Sequence, residues 1–92
     1  MEDRPIGEIW TFAFTEQAWG LNVRDVRPEA RHLLRPRGYV RFPDGVWSRP
    51  RRLTERVSRR MDWYSACGEI RALQGLGFGL STDARKLLDG RA

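Results

Sequence analysis

Between Arg35 and Arg60 the chain places nine arginines: Arg35, Arg37, Arg41, Arg49, Arg51, Arg52, Arg56, Arg59 and Arg60. Tyr39 and Trp47 sit among them. A guanidinium is a planar, permanently charged fork whose N–H groups match phosphate oxygens. An exposed aromatic ring offers a face on which an unpaired base stacks, worth about 1 to 3 kcal/mol per base. Together these eleven residues suit the holding of a polyanion, DNA or RNA, through phosphates and bases. Trp, Tyr and Arg are also enriched at protein hot spots. An acidic protein or nucleoprotein surface is therefore the second class of partner.

The distribution of charge supports a localised face. Residues 1–23 carry a net charge of −3, residues 24–60 a net charge of +8, and residues 61–92 balance, giving +5 overall. Codon bias in a GC-rich genome can account for sixteen arginines against one lysine. It does not account for their clustering.

Other chemistry is hard to assemble. His32 is the only histidine and Cys67 the only cysteine, which excludes an internal disulfide and an ordinary Cys/His zinc cluster. The twelve acids are scattered, and nothing marks a nucleophile for which His32 could act as base. The alternating Gly75, Gly77 and Gly79 lack the GK[ST] ending and the G-x-G-x-x-G spacing of nucleotide loops. We therefore expect a binding protein, not an enzyme, with no catalytic set, metal or cofactor.

The supporting elements follow from local pattern. Residues 6–14 (IGEIWTFAF) and 19–24 (WGLNVR) read as strands of one hairpin. Residues 25–35 read as a short helix opened by Pro28 and closed before Pro36, with His32 on its outer side. In Phe42-Pro43-Asp44-Gly45-Val46, proline presets the turn and glycine takes its left-handed position, which closes a second hairpin with Arg41 opposite Trp47. Alternation then puts Val40, Phe42, Val46 and Ser48 on one face and Tyr39, Arg41, Trp47 and Arg49 on the other. The first face is expected inward and the second outward.

Pro50 ends that strand, and residues 51–74 read as the main helix. Leu53, Val57, Met61, Tyr64 and Cys67 form its inward stripe, and Arg52, Arg56, Arg59 and Trp63 a row beside it. Gly68 marks a point where this helix bends or stops. Residues 75–80 read as a short strand, and Ser81 or Thr82 caps a last helix that stops at Gly90.

The expected fold class is α+β. A small single domain, residues 1–92, would pack two β-hairpins against one long helix and two short helices. Its core would draw on Ile9, Phe12, Val40, Phe42, Val46, Leu53, Val57, Met61, Tyr64 and Leu87. The opening MEDRPIGE has no apolar segment and no run is long enough to span a bilayer, so the expected location is cytoplasmic, with no membrane partner.

Pro36-Arg37-Gly38 resembles three residues of the AT-hook core, but Tyr39 stands where the hook has its second arginine. In size and character alone, the chain is similar to phage and mobile-element inhibitors such as anti-CRISPR proteins. That resemblance implies a small inhibitor or adaptor that docks on a host protein or nucleoprotein complex.

Overall fold

The computed structural model describes residues 5–90; the first four residues of the acidic opening lie outside that range. Two strands, β1 (Glu8–Thr15) and β2 (Ala18–Arg24), form the expected first hairpin. The Thr15 hydroxyl accepts the Gln17 N–H at 3.0 Å in the turn between them. Their register sets Ile9 opposite Val23 and Thr11 opposite Leu21 on one face, and Trp10 opposite Asn22 and Phe12 opposite Gly20 on the other. The pairing slips between Ala13 and Thr15, a bulge near the turn.

A helical segment follows: a 3-10 turn at Pro28–Ala30, α1 (Arg31–Leu34) and a second 3-10 turn at Arg35–Arg37. It runs through Pro36, past the expected stop, because proline near the start of a 3-10 turn need not donate. Gly38, at φ 88°, ends it. His32 is exposed, as expected.

The second hairpin, β3 (Val40–Arg41) and β4 (Trp47–Ser48), has the expected turn. Gly45 lies at φ 89°, and the Phe42 N–H donates to the Val46 carbonyl at 2.7 Å. Arg41 opposes Trp47, as the turn dictates. The facing of the hairpin differs from the expected one at its aromatic residues, although Ser48 is buried and Arg41 exposed as expected. Trp47 also pairs with Val23, whose side chain is buried, so the Tyr39 and Trp47 face turns into the core. Val40 is left 46% exposed on the other face.

The long helix also differs. α2 (Trp63–Gly75) begins twelve residues after residue 51, the expected start, and runs on through Gly68. Residues 49–61 form instead an extended ribbon that doubles back. The Arg51 N–H donates to Val57 and the Arg59 N–H to Arg49, and Met61 exchanges two 2.8 Å backbone bonds with Trp19 on the edge of β2. A helix here would have set Arg52 against Arg56 and Arg56 against Arg59 and Arg60, like-charge pairs that each cost about 0.2 to 0.5 kcal/mol. The extended path lets the buried Ser58 hydroxyl pair with Ser48. Asp62 supplies the cap, its carboxylate accepting the Ser65 N–H at 2.8 Å.

As a result Leu53 is 99% exposed, Tyr64 77% and Val57 43%, and the three leave the expected core. Phe12, Phe42 and Val46 are only half-buried. Ile9, Met61 and Leu87 are buried as expected. After a turn at Gly77, φ 113°, β5 (Gly79–Leu80) runs parallel to β1 against Glu8 and Ile9 only, shorter than the expected strand over 75–80. Ser81 caps α3 (Thr82–Leu88) by accepting the Ala84 N–H.

One five-stranded sheet results, ordered β3-β4-β2-β1-β5, in an α+β fold. Ile9, Leu21, Val23, Leu34, Tyr39, Trp47, Met61, Ile70, Leu73 and Phe78 form one core between the sheet and the helices. Burial pushes the Cys67 thiol pKa up, consistent with its packing as a small apolar group. The molecule measures 38 × 33 × 20 Å. Its shortest dimension is in keeping with one helix layer packed on one sheet layer. No helix among the described residues is long and apolar enough to cross a membrane.

Candidate nucleic-acid interface

The eleven expected site residues separate into two groups. The first is structural. Tyr39 and Trp47 are 2% and 3% exposed, so neither ring can receive a base, and their expected outward placement is corrected. The Tyr39 hydroxyl donates to Glu69 Oε2 at 2.8 Å, and Arg37 Nη2 donates to Glu69 Oε1 at 3.1 Å. Arg49 stands 3.9 Å from the same carboxylate and its Nη2 lies 3.5 Å from Met61 Sδ. Arg35 lies over the Trp47 ring, 5.2 Å from its centroid.

This cluster ties the basic segment to α2. Burial raises the Glu69 pKa, but the hydrogen bonds from Arg37 and Tyr39 and the Arg49 charge outweigh that effect and hold the carboxyl below the usual glutamate range. Burial, reinforced by the neighbouring carboxylate, pushes the Tyr39 phenol upward, so it stays a donor. Arg37 is raised by its bond to Glu69. These cations are committed to folding.

The second group is free for a ligand. Beyond Arg49, residues 50–60 contain five arginines and one glutamate, a net +4. Arg51 and Arg52 share Glu55, at 2.8 and 3.8 Å. Arg51 holds Glu55 with two N–H bonds, of 2.8 and 2.9 Å. The longer, exposed Arg52 contact is of the kind that contributes only about 0 to 1 kcal/mol, so a phosphate can take over Arg52 most readily. Arg41, Arg56, Arg59 and Arg60 are exposed and, among the described residues, have no carboxylate within ion-pair distance. The ribbon carries Arg56, Arg59 and Arg60 on a backbone pinned at Pro50 and Ser58, at Arg49 and Arg59, and at Trp19 and Met61, and Arg41 stands on β3. Between its tip and the second hairpin lies a cleft of about 520 Å³ lined by Val40, Arg41, Phe42, Leu53 and Arg56.

The sheet also leaves three aromatic residues half-buried, of which Phe12 belongs to the expected core. Trp10, Phe12 and Phe14 are half-buried on the sheet face opposite the helices. The Phe12 and Phe14 rings meet edge to face at 5.1 Å, and both lie over Gly20. Arg24 lies 4.3 Å from the Trp10 ring centroid and Arg60 4.7 Å from that of Phe14. The signal for this face is present in the sequence: Trp10, Phe12 and Phe14 recur with period two, and a glycine sits on the partner strand. The apolar character of residues 6–14 as a whole hides it.

Comparison of the chain with protein-family models, with curated proteins and with solved structures gives no match.

Proposed function

We propose that this protein binds nucleic acid through phosphate contacts made by the ribbon of residues 49–60, without catalysing a reaction on it. What supports the reading is the net +4 that the ribbon keeps beyond Arg49, together with the exposure of Arg56, Arg59 and Arg60, which have no carboxylate partner among the described residues. Arg41, Arg51 and Arg52 flank them. Arg49, beside Glu69, anchors the start of the ribbon, and Arg37 and Arg35 tie the preceding 3-10 turn to Glu69 and Trp47.

The test is a binding titration across salt concentrations with single- and double-stranded oligonucleotides. Neutralising about five phosphates gives a slope of log affinity against log salt near −3.5 for a single strand and −4.5 for a duplex. Each of Arg56→Ala, Arg59→Ala and Arg60→Ala reduces that slope by about 1. Binding that ignores salt, or no binding at low salt, defeats the proposal.

A second reading, a protein inhibitor or adaptor, is favoured by Leu53, which stands 99% exposed among arginines at the ribbon tip. An apolar residue so placed suits a hot-spot pocket on an acidic protein. Under that reading Leu53→Ser abolishes capture of one stoichiometric partner; under the first it leaves oligonucleotide binding unchanged.

A further inference from the structure

Among the described residues, no helix packs on the side of the sheet opposite the core. On that side, Trp10, Phe12 and Phe14 occupy alternate positions of β1 with Asn22 and Gly20 opposite Trp10 and Phe12, and none of the three rings belongs to the core or packs against it. Large aromatic rings left half-buried on an open face have an unused binding surface. We infer that this face is a stacking platform for unpaired bases, so that the nucleic acid gripped by the ribbon is bound as a single strand. The inference rests on the phosphate-binding reading for the ligand's approach, and its test separates the two.

Three observations select this occupant. The rings are flanked by cations: Arg24 and Arg60 are exposed and stand over Trp10 and Phe14 at 4.3 and 4.7 Å. They complement a phosphate chain crossing the rings. Arg60 also belongs to the ribbon, so the two surfaces are continuous there.

Spacing is the second observation. Positions two apart on a strand are separated by about 6.6 Å, roughly twice the 3.4 Å rise of a stacked nucleic-acid strand. Trp10 and the Phe12–Phe14 pair therefore meet bases splayed apart. A duplex keeps its base faces buried and offers none to a flat sheet.

The third is energetic order. An arginine over an exposed ring is held about two to three times less strongly than a base stacked on it, so the guanidinium yields to the base and remains beside the phosphate. Glu8 shares this face. Its carboxylate accepts the Trp10 indole N–H at 2.6 Å, which fixes the ring's orientation.

The experiment compares the wild-type protein with a Phe12→Leu, Phe14→Leu double variant, which keeps apolar bulk but removes both π faces; unchanged thermal melting verifies its fold. Affinity is measured for an oligothymidylate of roughly 12 nucleotides and for a duplex of equal length, each across salt. The wild-type protein prefers the single strand by about tenfold or more, and the double variant loses about 5- to 100-fold of single-strand affinity. Its duplex affinity and salt slope stay unchanged. Single-strand binding quenches tryptophan fluorescence, and Trp10→Phe removes most of that quenching while binding persists.

Equal affinity for both forms, or a double variant that binds the single strand like wild type, overturns the platform; if the salt slope persists, the ribbon reading stands. Salt-insensitive single-strand binding that the double variant loses upholds the platform and overturns the ribbon. Failure to bind either form overturns both. A concentration-dependent dimer that the double variant weakens and oligonucleotide does not disturb assigns the face to a second copy and overturns the inference.

Discussion

Glu69 draws its partners from one stretch of chain, Arg37, Tyr39 and Arg49, and so fastens the second hairpin to α2. Glu69→Gln weakens that junction, and we expect a loss of about 1 to 3 kcal/mol in urea unfolding. The wild-type dependence on pH has a definite sign. A carboxyl whose folded pKa lies below its unfolded one stabilises fully above the ordinary glutamate value of about 4.3, and that contribution disappears as pH falls through the folded value. Glu69→Gln should therefore flatten the acid limb of the stability curve below about pH 4.3. Gly20 is a second informative residue. A Cβ there would stand 2.5 Å from Phe12 Cζ, so Gly20→Ala has to displace the ring and should reduce single-strand binding along with stability. None of this is legible in the sequence, where Glu69 is one acid among twelve. A buried carboxylate becomes visible only once the fold has gathered its cations.

At the scale of elements, turn chemistry is legible in the sequence and facing is not. Pro43-Asp44-Gly45 fixes the second hairpin's register because that geometry depends on three neighbouring residues. Which face turns inward depends on Val23, a residue about twenty positions away, because both faces of the hairpin carry large side chains. The ribbon escapes a sequence reading for a related reason. Leu53, Val57 and Met61 have helical spacing, and periodicity alone does not weigh the repulsion among Arg52, Arg56, Arg59 and Arg60. Paired substitutions check the outcome. Leu53→Ala, at a fully exposed residue, should change stability by no more than about 0.5 kcal/mol, whereas Met61→Ala, 8% exposed, should cost about 2 to 5 kcal/mol. Gly68 lies inside α2, exposed, and a Cβ added there would meet no other atom within 4 Å. Gly68→Ala should therefore raise stability by about 0.5 to 1 kcal/mol, read as a higher urea midpoint.

Across the whole molecule, the charge asymmetry in the sequence correctly marks residues 24–60 as the basic region, but folding divides its arginines between structural and exposed roles. The same division should govern local stability. Amides of β1, β2 and α2 are expected to exchange slowest with solvent, and those at the ribbon tip fastest, because the tip has few buried contacts; hydrogen exchange measures this directly. The sheet's topology has one more consequence. β5 covers β1 only at Glu8 and Ile9, and no described strand pairs with that edge across Thr11–Thr15. The stretch without a strand partner reads Thr-Phe-Ala-Phe-Thr, rich in strand-forming residues and lacking charge or proline, and α3 shields only part of it, its Asp83, Lys86 and Leu87 lining a cleft with Thr11, Phe12 and Ala13. Such an edge is a template for a neighbouring chain's backbone, so slow fibrillar self-association is expected in concentrated solution when ligand is absent. Ala13 is exposed at this edge. A lysine there would repel an incoming strand while leaving the interior untouched, and Ala13→Lys should lengthen the lag before light scattering rises.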